Sequence, residues 1–295
     1  MNNYLESLEN ESIHIIREAY AAFSNPVVLY SIGKDSSVLA YLVKKAFLPG
    51  KIPFPFLHID TTLKFAEMYE FRKYFIDWIK ANIIVYTNHE ALEDKKDIDC
   101  TYCARFLKTE ALKQAMAKYQ FDVALAGGRR DEEKSRAKER IFSFRDSNMQ
   151  WFPKKQRPEI WHIYNTQHKL GESFRVFPIS NWTELDIWLY IKKESIPVVP
   201  LYFSQKRDVV VRNGQMFLNS GITKAKNNEQ LKNIECRFRT LGCQLCTGAI
   251  ASQAKTVDDI IEEIMTNKIS ERQNRIVDLE SGDSSMETKK LSGYF

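Results

Sequence analysis

The segment Ser31-Ile32-Gly33-Lys34-Asp35-Ser36 constrains this chain's fold more than any other. An apolar run, Pro26 to Tyr30, leads into it, and Val38, Leu39, Leu42 and Val43 follow at the spacing of one helix face. The pattern predicts a strand, a tight turn and a helix N-terminus. Such a turn presents unpaired backbone N–H groups and the positive end of a helix dipole to an anion. Gly33 lets a phosphate approach the backbone closely. Lys34 adds a point charge, and Ser31 and Ser36 add hydroxyl donors. The segment is not a Walker A loop, because Val28 stands where that loop needs its first glycine. An ordinary polar turn in a parallel sheet is the competing reading, since Gly, Ser and Asp are common in turns.

The rest of the chain repeats the alternation. Ile13, Ile16, Tyr20 and Phe23 predict an amphipathic helix over 11–23, with Asn10 and Ser12 as caps. Phe54 to Asp60 reads as a second strand, Asn82 to Thr87 as a third and Phe121 to Ala126 as a fourth ending at Gly127-Gly128. Helices are predicted over 62–79 and 104–118. Strands and helices alternating at this length point to an α/β fold, a doubly wound and mainly parallel sheet covered on both faces. Ligands of such sheets sit at the carboxyl ends of the strands, which brings Asp60 and Thr61 close to the Gly33 turn. A carboxylate there can accept from a nucleoside hydroxyl or help hold Mg²⁺; capping of the following helix explains the same residues.

After Gly128 comes a dense charge run containing Arg129, Arg130, Lys134, Arg136, Lys138 and Arg140 with interleaved acids. Charge runs are commonly solvated helix faces. This one starts at the ligand side of the sheet, and its acids can hold guanidinium forks in place for a tetrahedral oxyanion. Residues 150–172 read as a long ordered loop and Arg175 to Ile179 as a fifth strand. Thr183 is the expected cap of a further helix with Asp186 at its third position. Residues 204–235, rich in Asn and Lys, read as an exposed excursion, and 257–267 as a short helix. A core unit over 1–203 and a C-terminal extension over 204–295, packed partly on the core and partly on a partner, is the expected division.

A net charge of +5, from 43 basic and 38 acidic residues, suits anionic small molecules better than a nucleic-acid duplex. No apolar run approaches the about 20 residues needed to cross a bilayer. The first residues carry no basic-then-apolar signal, so a cytoplasmic protein with reduced thiols is expected.

Assembled, the chain resembles the small, catalytic subunit of the bacterial heterodimeric sulfate adenylyltransferase. The resemblance rests on LYSIGKDSSV, LHIDTTLKFAEMYEFR, GGRRDEEKSRAKERIFSFRD, GESFRVFPISNWTELDIW, IPVVPLYF, RFRTLGC with TGA, SERQNRIVD, SSMETKK and GYF. The Ser31–Ser36 loop alone marks only the wider ATP pyrophosphatase and phosphosulfate reductase group; the Gly127–Arg140 block is more specific. The resemblance implies a Rossmann-like fold with a pyrophosphate-binding (PP) loop. It also implies that sulfate attacks the α-phosphorus of ATP in line, giving adenylyl sulfate and pyrophosphate. Ser31, Gly33, Lys34, Asp35 and Ser36 would then hold the β- and γ-phosphates, and Asp60 and Thr61 would lie by the nucleoside. Gly128, Arg129, Arg130, Lys134, Arg136, Lys138 and Arg140 would contact sulfate and pyrophosphate. Lys34, Arg129, Arg130 and Arg136 carry the catalytic expectation. ATP with Mg²⁺ and a separate GTPase large subunit in a hetero-oligomer are implied, with the aromatic loop 150–172 and the tail 270–295 as docking surfaces.

The cysteines depart from that pattern. Cys100-x2-Cys103 and Cys243-x2-Cys246 stand about 140 residues apart, and Cys236 stands alone. Both segments are similar to the [4Fe–4S] cluster segments of adenylylsulfate reductases. A four-thiolate site for Fe–S or Zn²⁺ is one expectation; reduced, partly buried core thiols are the other. The Fe–S-type reductase itself is the alternative function. It needs a nucleophilic cysteine in the C-terminal tail, and residues 279–295 contain none. A non-catalytic nucleotide sensor on the same fold is a third reading; it would bind ATP and release nothing.

Overall fold

Strand β1 (Pro26–Leu29) is apolar and buried at every position, as a central strand of a parallel sheet requires. Val28 and Tyr30 pack into one apolar layer, while Val27 and Leu29 pack into a second on the opposite face. Each such buried side chain contributes roughly 1.5–3 kcal/mol. The computed structural model describes residues 2–94, 98–212, 214–226 and 229–266, without the side chains of Asn2, Lys134 and Ser135. The expected docking tail over 270–295 lies outside the described residues.

The strands that follow are β2 (Phe56–Ile59), β3 (Ile83–Tyr86), β4 (Val123–Leu125), β5 (Phe142–Arg145) and β6 (Ser173–Val176). They form a six-stranded sheet of order β3-β2-β1-β4-β6-β5, parallel except for β5, which runs antiparallel to β6. The helices are α1 (Asn2–Ala22), α2 (Lys34–Ala46), α3 (Ala66–Ile79), α4 (His89–Glu93), α5 (Cys100–Tyr102), α6 (Ala111–Lys118), α7 (Glu184–Glu194) and α8 (Val257–Thr266). A wide, π-type stretch, Cys103–Glu110, joins α5 to α6. Residues of α1, α2, α3 and α7 cover one face of the sheet, and Leu112, Ala115 and Met116 of α6 cover the other. The expected doubly wound sheet is therefore present. Because β1 lies between β2 and β4, chain order reverses there, and a crevice opens beyond its carboxyl end.

The structure departs from the sequence expectations in three places. Helix α1 begins at Asn2, so Ser12 is no cap. Its buried hydroxyl donates within the helix to Leu8 O and accepts from Trp182 Nε1 at 3.0 Å. The antiparallel edge strand β5 was not foreseen. It is sealed by the neighbouring loop, where Glu159 accepts from the backbone of Ile141 and Phe142, and Gln156 from Phe144.

The third correction concerns 204–235, which is no excursion. Strands β7 (Gln205–Arg212), β8 (Gln215–Leu218), β9 (Leu231–Arg237) and β10 (Ile250–Ala251) form an antiparallel sheet of order β10-β9-β7-β8. Its Val209 and Cys236 are buried in the same core as β1, with Phe238 just beyond β9. Arg237 donates to Glu263 of α8 at 2.7 Å. Capping at α7 is as expected: Thr183 and Asp186 form a reciprocal capping box. No helix of the described residues is long and apolar enough to cross a membrane.

Candidate active site

The turn after β1 is held from within. Ser31 donates to Ser36 Oγ at 3.1 Å, and the Ser36 hydroxyl contacts Gly33 O at 2.9 Å. Ile32 carries the left-handed conformation, φ 71°, with its side chain fully buried. This is costly for a β-branched residue and is sustained by its packing. Gly33 has an ordinary extended backbone, φ −75° and ψ 164°. A methyl group there would meet only Ser31 Oγ at 3.5 Å and Tyr202 Oη at 3.6 Å. The crowded glycines are those at the end of β4. A Cβ on Gly127 would lie 3.1 Å from the Asp35 backbone, and one on Gly128 would lie 2.5 Å from Arg136 Nη1. The absence of a side chain at Gly127 lets the β4 turn and the first turn of α2 close on one another, and at Gly128 it leaves room for Arg136 and Phe177.

A pocket opens at this junction. Ser31, Gly33, Lys34, Asp35, Ser36, Thr61, Gly128 and Arg136 all line it. Its inner wall is apolar, with Leu29, Leu57, Ile59, Leu112, Phe177 and Leu241. Four basic side chains, Lys34, Lys64, Lys108 and Arg136, face two acids, Asp35 and Glu132. That excess, beside a helix N-terminus, favours an anion.

The charged groups are tightly positioned. Lys34 is 1% exposed; its Nζ lies 3.4 Å from Asp35 Oδ2 and 3.4 Å from Arg239 O. Its backbone N–H donates to the Tyr202 hydroxyl at 2.8 Å. Glu184, the first residue of α7, accepts from Arg239 Nη2 at 2.6 Å and lies 4.0 Å from Lys34 Nζ. Arg129 is buried and donates to Asp35 Oδ1 at 2.6 Å. Arg136 pairs with Glu132 at 3.1 Å on a short 3-10 turn, Lys134–Lys138.

Other expected residues stand elsewhere. Asp60 does not line the pocket: its oxygens accept from Thr62 N, Tyr69 Oη and Arg72 Nη1. It does not cap α3 either, whose N-cap is Phe65. Arg130 points away to Asn181 Oδ1 at 2.6 Å, and Lys138 and Arg140 are exposed outside the lining. The side chain of Lys134 lies outside the described residues.

Sequence reasoning missed Lys64, Lys108, Tyr202, Glu184 and Arg239. Glu184 and Arg239 lay in motifs that carried the resemblance, but nothing in their spacing pointed to Lys34. Lys64 is 8% exposed, and its Nζ donates to His58 Nε2 at 3.1 Å. His58 donates from Nδ1 to Tyr30 O at 2.7 Å, because a carbonyl can only accept. Burial holds the His58 imidazole neutral, well below its usual range, and the Lys64 charge adds to this. Burial, with Lys108 nearby, lowers Lys64 to about 7.

The four cysteines converge beside this pocket. Cys243 Sγ and Cys246 Sγ are 2.8 Å apart, and Cys103 is buried in the same small apolar cluster, with Cys100 packed against it. Among the described residues, no group of three or more His, Cys, Asp or Glu side chains adopts a metal-coordinating arrangement. The thiols form no disulfide.

Residues 25–249 match the phosphoadenosine phosphosulfate reductase domain family. The chain is 53% identical to sulfate adenylyltransferase subunit 2 of Aliivibrio fischeri (strain MJ11), over 99% of this chain and 98% of that one. It is 51% identical to the protein of that name from Pseudomonas paraeruginosa (strain DSM 24068 / PA7), with the same coverage. Among solved structures, Candida glabrata FMN adenylyltransferase shares the fold, with a TM-score of 0.52 at 16% identity, covering 93% of this chain and 88% of that one. By matched domain and by identity along almost its whole length, this chain belongs to the sulfate adenylyltransferase subunit 2 family, nucleotidyltransferases built on the phosphosulfate reductase domain.

Proposed function

We propose that the pocket binds ATP and sulfate and joins them into adenylyl sulfate with release of pyrophosphate. The observation that carries the reading is the meeting of the Ser31–Ser36 turn, the Gly127-Gly128 turn and Arg136 around one basic pocket with an apolar inner wall. The apolar residues at the strand ends suit a purine base. The α2 N-terminus with Lys34 and Ser36 suits the β- and γ-phosphates. Arg136, Lys64 and Lys108 remain for sulfate and for charge developing on the leaving group.

Sulfate is a weak nucleophile, so the protein acts by holding one sulfate oxygen in line with the α-phosphorus and stabilising pyrophosphate as it leaves. Arg129 does not touch the pocket; through Asp35 it positions the first turn of α2. Mg²⁺ bound to the ATP phosphates would neutralise charge there, and the Asp35 carboxylate, which lines the pocket, suits a single protein ligand of such an ion.

The subunit naming of the relatives supports a partner chain. The reaction lies uphill, and the partner's part in this reading is to couple it to GTP hydrolysis. Ile160, Trp161, Ile163 and Leu170, all more than half exposed, offer a docking strip on the 150–172 loop. The test is pyrophosphate release from ATP, with sulfate and with the GTPase subunit and GTP each present or omitted. Release that requires sulfate and rises with the partner and GTP supports the reading. Sulfite release from adenylyl sulfate with a thiol reductant, or ATP binding without turnover, overturns it.

A further inference from the structure

Cysteines buried for packing alone lie among aliphatic side chains. Cys236 does so, in the main core. The other four behave differently. Cys100 and Cys103 come from the start of the α5–π segment, and Cys243 and Cys246 from the turn after β9. They come together in a separate apolar cluster with Ala91 and Leu107, with Cys243 Sγ and Cys246 Sγ 2.8 Å apart. Cys103, Cys243 and Cys246 are at most 2% exposed. The turn that carries the second pair is held in place: Gln244 donates from its backbone to Leu63 O at 2.8 Å and from its side chain to Lys64 O at 2.9 Å.

We propose that Cys100, Cys103, Cys243 and Cys246 are the four ligands of one tetrahedral zinc ion. Two C-x2-C pairs supplying four thiolates make a closed structural zinc site. With Zn–S near ~2.3 Å, the sulfurs of such a site stand ~3.8 Å apart; Cys243 and Cys246 stand at 2.8 Å and the four thiols are not set in a coordinating arrangement as they lie, so they spread apart to admit the ion. A four-iron cluster holds each thiolate on a separate iron and needs a wider ring. The four thiols give up their protons on binding, and the site then carries a net charge of −2. Lys108 lies on the same π-type stretch as Cys103, and the Lys64 carbonyl accepts from Gln244 between the second pair, so both side chains bring positive charge to this corner of the fold.

The ion would staple together two walls of the pocket. Lys108 and Thr109 follow Cys103 on the π-type stretch, and Thr240, Leu241 and Gly242 run directly into Cys243; all five line the pocket. The zinc assignment stands on the thiols alone, and only its consequence for ATP binding rests on the reading above.

The test is metal analysis of the whole chain purified under reducing conditions, with Cys103→Ser, Cys246→Ser and Cys236→Ser beside it. One zinc per wild-type chain, retained in Cys236→Ser and lost in the other two, is expected. Cobalt exchanged into the site should give the intense visible spectrum of a tetrahedral tetrathiolate. Removing zinc from wild type with a chelator should raise the KM for ATP more than it lowers kcat and should speed amide exchange over 100–118. A brown protein containing iron and sulfide, metal-free wild type with four titratable thiols, or a Cys243–Cys246 disulfide would each overturn the proposal. Zinc present in wild type, with the KM for ATP unchanged once it is stripped, would overturn the staple alone.

Discussion

Arg129 Nε donates to Asp35 Oδ1 at 2.6 Å, across 94 residues of sequence. The contact joins the turn after β4 to the first turn of α2, the two turns that form the floor of the pocket. Arg129 is buried, and Asp35 keeps a side chain 22% exposed toward the pocket. Replacing Arg129 with Met leaves the Asp35 charge without this partner. Urea denaturation should show a loss of about 3 kcal/mol, the scale for breaking a buried pair from one side. Asp35→Asn, which keeps an acceptor, should lose less.

Lys34 lines the pocket and touches Asp35 and Arg239 O. Lys34→Ala should lower kcat by about 100-fold or more, the scale for one removed electrostatic donor. Circular dichroism should remain that of the wild type, because Glu184 keeps its pairing with Arg239. Unchanged turnover would remove Lys34 from the reaction.

The two loop glycines should respond in opposite ways. In Gly33→Ala the new methyl meets ordinary contacts at an accessible backbone conformation, so most activity should survive. In Gly128→Ala it would stand 2.5 Å from Arg136 Nη1 and 2.9 Å from Phe177. Arg136 must move, and overpacking should cost about 1–3 kcal/mol. A steady-state comparison of the two variants checks this, with the larger loss of kcat/KM for sulfate expected in Gly128→Ala.

Lys64 makes the pocket sensitive to pH. Burial lowers it to about 7, so it loses its proton as pH rises through that value in the free protein. A polyphosphate bound nearby favours the charged form and raises the pKa. ATP affinity, measured by titration calorimetry, should therefore be highest below pH 7 and fall above it, with proton uptake on binding near pH 7–8. Lys64→Met should flatten this difference. The stability linkage has the opposite sign. Between about 7 and the ordinary lysine value near ~10.4, the unfolded chain holds a proton that the fold does not, so wild type gains stability relative to Lys64→Met as pH rises.

The parallel core was legible because β1, β2 and β4 are continuous apolar runs bounded by turn residues, and a strand buried on both faces can be little else. The capping box at Thr183 and Asp186 was legible for the same local reason. The second sheet was not. In β7 only Arg207, Val209 and Val210 are buried, and the exposed Gln205, Lys206 and Asp208 give the segment a solvated look until its pairing with β8 and β9 is known. Strand β5 escaped because its edge is completed by side chains from Gln156 and Glu159, beyond any local pattern.

At the site, the Ser31–Ser36 turn and Arg136 were singled out by sequence, and the fold sets both on one pocket. Asp60 was misleading, because a strand-end carboxylate has the same local sequence whether it faces a ligand or, as here, Tyr69 and Arg72. Lys64 and Glu184 take their meaning from His58 and Arg239, contacts that only the folded chain supplies.

The proposed attack of sulfate on the α-phosphorus of ATP in this pocket is open to direct measurement. The direct test uses ATP labelled with ³²P at the γ-position together with [³⁵S]sulfate, the wild-type chain, its GTPase partner and GTP. Attack at the α-phosphorus should place ³²P in pyrophosphate and ³⁵S in adenylyl sulfate in a one-to-one ratio, both abolished by Lys34→Ala. Label appearing in orthophosphate, or pyrophosphate formed without labelled adenylyl sulfate, would contradict it.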